Sequence, residues 1–175
     1  MHHGIPFRPF LALLCLLAGG TAAAKPAVNA PSARPGWTLV WSDEFDHDVA
    51  PDPAKWKPEV GMVRNNELQY YTSGRRENAR VEGGNLVIEA RKEPFEKAGY
   101  TSASLTTAGL ASWTYGRVEV RAKVPGGRGT WPAIWMLGTS IDKVGWPACG
   151  EIDIMEHVGY DPDKIHCTVH TNAYC

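Results

Sequence analysis

Hydrophobic residues along this chain recur at the spacing of strands, not helices. Tyr115-Gly116-Arg117-Val118-Glu119-Val120-Arg121-Ala122-Lys123-Val124 is the cleanest case. Val118, Val120, Ala122 and Val124 share one face, and Arg117, Glu119, Arg121 and Lys123 share the other, which is the period of a half-solvated strand. Trp37–Trp41, residues 65–72, Ala103–Thr107, Trp131–Leu137 and Ile165–Thr171 are further strand candidates. Gly83-Gly84-Asn85 marks a hairpin turn between Val81-Glu82 and the strand Leu86–Arg91. Pro51-Asp52-Pro53, Gly126-Gly127-Arg128-Gly129 and Gly159-Tyr160-Asp161-Pro162 read as loops. No stretch carries helical periodicity. Short strands with Gly and Pro punctuation predict an all-β sandwich or barrel.

One stretch alternates differently. In Gly150-Glu151-Ile152-Asp153-Ile154-Met155-Glu156-His157, every polar position as far as Glu156 is acidic. A solvated strand face ordinarily mixes charge signs, because like charges side by side repel. The phase also slips: Glu151 and Asp153 share a face, while Glu156 lies an odd number of steps from both. A regular strand would turn Glu156 into the core, where an unpaired carboxylate is costly. One extra residue at about Ile154-Met155, a β-bulge, returns Glu156 to the face of the other two. The returning segment Ile165–Thr171 then forms a hairpin with this strand. The register that keeps the polar set together pairs His166 with Glu156, Thr168 with Asp153 and His170 with Glu151. Ile165, Cys167 and Val169 fall behind.

With the bulge, Glu151 and Glu156 behave like residues four apart, roughly 13 Å between Cα atoms at about 3.3 Å per residue. Side chains leaning inward from there can bring their carboxyl groups to roughly 5–5.5 Å, the separation of a retaining glycosidase pair, one nucleophile and one acid/base. Asp153 between them can share a proton or hydrogen bond and raise the pKa of whichever carboxyl acts as acid. Trp131 and Trp135 share a parity on a neighbouring strand, and Trp146 lies just ahead of the acids. Indole faces stack on sugar rings, so these tryptophans are candidate cleft residues, with core packing as the alternative. Two other classes also fit parts of the pattern: a non-catalytic glycan-binding module on the same tryptophans, and a metal-dependent enzyme using Glu151, Asp153, Glu156, His166 and His170.

Charge and composition narrow the partners. The 175 residues carry a net charge of −1, which offers nothing to nucleic acid or to an acidic membrane surface. Residues 1–24 predict a signal peptide: Arg8, an apolar run over Phe10–Ala18 too short to span a bilayer, and a cleavage site at Ala22-Ala23-Ala24. Residues 25–36 are a Pro/Ala-rich linker, and residues 37–175 form the folded part. The expected product is exported, secreted or periplasmic, and monomeric. Cys15 leaves with the leader, so Cys149, Cys167 and Cys175 remain, an odd number that leaves one thiol unpaired or paired elsewhere. No zinc-type spacing occurs. The acids around Glu44 are turn residues or cation ligands, the former preferred.

These stretches resemble glycoside hydrolase family 16, and within it the laminarinase-like endo-β-1,3-glucanases. The resemblance rests on W-S-D-E-F-D (41–46), N-N-E-L-Q-Y-Y-T (65–72), Y-G-R-V-E-V-R-A-K (115–123), G-T-W-P-A-I-W-M-L-G (129–138), W-P-A-C-G-E-I-D-I-M-E-H-V-G (146–159) and T-V-H-T (168–171). It implies a jelly-roll (concanavalin-like) antiparallel β-sandwich with a glycan cleft across its concave sheet. Glu151 then matches the family nucleophile, Asp153 its assisting acid and Glu156 its acid/base. Trp131, Trp135 and Trp146 would line sugar subsites, with Asn65 and His170 as further candidates. The substrate would be a laminarin-type β-1,3-glucan, with mixed-linkage glucan or a red-algal galactan as alternatives. No organic cofactor is implied, although many members hold a structural Ca²⁺. Family domains continue with further strands after T-V-H-T, so this chain is expected to be the N-terminal part of a longer sandwich.

Overall fold

The computed structural model describes residues 34–47 and 49–174. The expected signal peptide, most of the linker and Cys175 lie outside the described residues. Strands dominate: β1 (Lys57–Pro58), β2 (Gln69–Tyr71), β3 (Ala79–Glu82), β4 (Asn85–Ile88), β5 (Arg91–Phe95), β6 (Ala98–Ser102), β7 (Leu105–Thr106), β8 (Ala133–Leu137), β9 (Glu151–Glu156) and β10 (His166–His170). A single helical turn, α1 (Ile141–Val144), links β8 to β9. Among the described residues the strands group as β1-β7, β2-β6-β5, β3-β4 and β10-β9-β8.

The β3–β4 hairpin turns through Gly83-Gly84, both with positive φ (63° and 74°), the conformation that a two-residue hairpin loop requires. Next to it lies a polar core. Asn78 and Thr101 are fully buried. Asn78 accepts from Thr72 Oγ1 (2.9 Å) and donates to Thr101 Oγ1 (2.9 Å) and to the Glu89 carbonyl (3.0 Å). Arg75 grips both oxygens of Glu93, at 2.5 and 3.2 Å. That guanidinium, helped by the Thr101 hydroxyl, draws the Glu93 carboxyl down to about 2. Buried polar atoms satisfied this fully lock the β5–β6 hairpin to the start of β3.

Two predicted strands are not strands. Residues 37–41 are held instead by ring packing: Trp41 sits 5.5 Å from both Trp56 and Trp113, edge to face. Asp43 ends this stretch as a turn residue, accepting from the Phe45 amide (3.2 Å) and the Trp56 indole (2.7 Å). Residues 115–124 have the pattern of a strand but join no ladder among the described residues, and Val118 and Val120 are half exposed. Alternation marks a competent strand, yet a strand exists only where a neighbour takes its N–H and C=O groups. β1, β5 and β6 have no counterpart among the predicted strands, and the remaining differences are of extent and direction. β2 covers only the end of residues 65–72 and runs parallel to β6, whereas antiparallel pairing was expected. Alternation says nothing about the direction of a neighbour.

The β8–β9–β10 sheet matches the expected register. His166 pairs with Glu156, Thr168 with Asp153 and His170 with Glu151. On the other side Ile134 pairs with Met155 and Trp135 with Asp153, so one step along β8 spans two along β9. The extra residue is Ile154, and it is the predicted bulge. Its carbonyl accepts from the Cys167 thiol at 3.2 Å. Cys149 and Cys167 are both free thiols. Behind the sheet, Ile152 and Val169 stay about half exposed.

Glycines close the ends of this sheet. The Gly138 amide donates to Gly150 O (2.9 Å) and the Gly159 amide to Thr130 O (2.8 Å). A Cβ at Gly138 would lie 1.9 Å from Cys149 O, and one at Gly159 would lie 1.8 Å from Gly127 O. Gly138→Ala and Gly159→Ala should therefore each lower the unfolding free energy by about 1–3 kcal/mol. Gly99→Ala, which meets nothing within 4 Å, should stay within about 0.5 kcal/mol. Urea unfolding of the three variants checks this, and equal stability of all three would contradict it.

Candidate active site

The site begins with β9. Its bulge places Glu151, Asp153 and Glu156 opposite His170, Thr168 and His166 on β10, and opposite Leu137, Trp135 and Ala133 on β8. Directly opposed residues share a sheet face, so the three acids, both histidines and Trp135 all project to one side. That is the constellation expected from the sequence.

Antiparallel pairing then decides where the other tryptophans fall. Trp131 precedes β8, whose start lies against the end of β9, and its indole N–H donates to Glu156 Oε1 at 2.8 Å. Trp146 precedes β9 itself, and its indole N–H donates to Glu151 Oε2 at 2.7 Å. Each end of the acidic strand therefore carries one indole bonded to one glutamate. Both rings stay open to solvent, 58% exposed for Trp131 and 51% for Trp146. An apolar ring presented to water beside a carboxylate offers a sugar both stacking area and polar partners.

Asp153 is the deep member, 4% exposed. His170 Nε2 lies 3.2 Å from its Oδ2, a polar contact not aligned as a hydrogen bond. The His170 ring sits 5.7 Å from that of Trp146. Burial, and next the negative charge and hydrogen bonding of Glu151, push the Asp153 carboxyl above its ordinary value of 3.8, while His170 opposes the shift. A proton held there sits between two carboxylates without adding charge. Glu151, Asp153 and His170 also bring one donor atom each within 4.8 Å of one another, so these three could hold a cation.

Two other predicted residues land differently. Trp135 does face the cleft side, but Arg64 covers it, with the guanidinium carbon 5.2 Å from the ring centre. Arg64 also lies 5.7 Å over Tyr71 and is ion-paired with Glu59, which accepts from the Ser104 hydroxyl. Asn65 is exposed and left-handed (φ 54°), a conformation asparagine tolerates, and it serves the turn that delivers Arg64. Arg64 was missed in the sequence; its only signal is its place beside Asn65-Asn66. His166 stands opposite Glu156, with Nε2 3.6 Å from Asp161.

With this geometry in place, the comparisons become specific. The model for glycosyl hydrolases family 16 matches residues 66–175, and the chain belongs to that family. It is 62% identical over 144 residues to a beta-glucanase of Rhodothermus marinus, covering 80% of this chain and 50% of that protein. The solved laminarinase of R. marinus superimposes with a TM-score of 0.76 at 62% identity, over 79% of this chain and 57% of that one. The catalytic domain of an endo-1,3-beta-glucanase (laminarinase) from Thermotoga petrophila gives 0.73 at 50% identity, over 79% and 58%. The fold is the family's all-β jelly-roll sandwich, of which this chain spans half, or a little more, of each relative's length.

Linkage gives Asp153 a testable sign. Its carboxyl binds a proton more tightly folded than unfolded. Its contribution to stability is complete below the ordinary value of 3.8 and is lost as pH rises through the higher folded value. Asp153→Asn should remove that component, so wild-type and variant unfolding curves should diverge with rising pH above 3.8. A constant difference across that range would contradict the assignment.

Proposed function

We propose that this chain carries the reacting residues of an exported, retaining endo-glycosidase that hydrolyses internal β-1,3 bonds of laminarin-type glucans. The observation that carries the reading is the single face of β9, with Glu151, Asp153 and Glu156 together and an indole at each end. Relatives named beta-glucanase and laminarinase support the choice of substrate.

A carboxylate of Glu151 attacks the anomeric carbon as Glu156 gives its proton to the departing glycosidic oxygen. The C–O bond breaks and a glycosyl ester forms on Glu151. Water then adds to the same carbon, Glu156 takes its proton, and the ester releases Glu151. Asp153, whose carboxyl holds its proton more tightly than an ordinary aspartic acid, can share that proton with Glu151 as charge leaves and returns on the nucleophile. These steps draw on carboxylates and water alone. Leader cleavage after Ala24 would deliver the enzyme outside the cytoplasm, where polymeric glucan is found.

Glu151→Gln should abolish reducing-sugar release from laminarin, and Glu156→Gln should reduce it by roughly 10²–10⁴-fold. Both should still bind the polymer. Wild-type protein that binds laminarin without releasing reducing ends would instead indicate a glycan-binding module. Release from agarose alone would overturn the substrate.

A further inference from the structure

The tryptophans beside the acids have a second feature that sugar stacking does not require. An indole has one polar hydrogen and no acceptor, so its N–H has a single use. Here Trp131 spends it on Glu156 (2.8 Å) and Trp146 spends it on Glu151 (2.7 Å). The two contacts are independent in the chain, one across β8–β9 and one from the loop that precedes β9. Each takes one carboxylate oxygen, Oε1 of Glu156 and Oε2 of Glu151. With Oε1 of Glu156 accepting, the transferable proton belongs on its Oε2.

We propose that Trp131 and Trp146 are positioning residues whose indole N–H groups aim Glu156 and Glu151 at the scissile bond. The ring that meets a sugar is thus also the clamp on the acid that acts on it. In the free protein both pairs are open to water, and such hydrogen bonds add little. A sugar lying over the rings excludes that water, and the same bonds then strengthen and narrow the carboxylate rotamers at the moment of reaction. The proposal rests on the glycosidase reading above.

Trp131→Phe and Trp146→Phe keep an aromatic ring and delete the donor. Both should hold KM for laminarin within about threefold and lower kcat roughly 10- to 100-fold. On a dinitrophenyl β-laminaribioside, whose leaving group departs without a proton, kcat/KM reports formation of the glycosyl ester alone, so the Trp131→Phe deficit in kcat/KM should close and the Trp146→Phe deficit in kcat/KM should persist. A raised KM with unchanged kcat would make the rings stacking surfaces only and overturn the proposal. A second readout needs no turnover. The indole N–H proton resonance of Trp131 should move in Glu156→Ala, and that of Trp146 in Glu151→Ala; unmoved resonances would overturn the proposal. Resonances that move in a protein inert on laminarin, mixed-linkage glucan and agarose alike would uphold the hydrogen bonds and refute the glycosidase reading instead.

Discussion

Phase along one strand governs this site. A β-strand offers a side chain to a given face at every second position, so acids two and then three residues apart cannot share a face unless the ladder skips. Ile154 is the skipped residue, and pairing shifts around it on both neighbours. A central strand bulged against both partners fixes three carboxylates more rigidly than a loop would. The bulge costs a ladder position, and the Cys167 thiol takes up the freed Ile154 carbonyl. Without the skip, Glu156 would leave the other two acids and point to the opposite side of the sheet, with Ile152 and Val169.

Pairing direction does the rest. Because β8 runs antiparallel to β9, the residue that leads into β8 arrives at Glu156, while the residue that leads into β9 stays at Glu151. Tryptophans far apart in sequence therefore end as matched partners of the two outer acids. Asp153, between them and buried, has no room to spread charge, and its neighbour's charge adds to the cost of ionising it. The site thus holds two solvent-facing glutamates with donors and one shielded aspartic acid, unlike environments from three like residues.

The acidic strand was legible in the sequence because its constraint is severe. Only a bulge kept Glu156 on the face of the other two acids, and only one register kept His166, Thr168 and His170 with them. The β5–β6 hairpin was not legible, because polar residues hold inward positions in it: Thr101 is fully buried, and Glu93 is bound by Arg75. A pattern of hydrophobic residues cannot report a core built of hydrogen bonds. Residues 115–124 failed in the opposite sense, with alternation but no ladder among the described residues. Arg64 over Trp135 and the two indole–glutamate bonds depend on where loops bring side chains, which no periodicity encodes. The glycines at 138 and 159 stood in quoted motifs, but their reason, a carbonyl within contact of the missing Cβ, appears only in three dimensions.

If the skip at Ile154 brings Glu151 and Glu156 to the same anomeric carbon, the stereochemistry of hydrolysis follows from their spacing. Carboxyl groups roughly 5–5.5 Å apart attack directly and retain configuration, whereas groups about 6.5–9.5 Å apart admit a water between them and invert it. Proton NMR of laminarin during the first moments of digestion, before mutarotation, reads this directly. The account predicts that the β-anomer of the new reducing end appears first; first appearance of the α-anomer would contradict it.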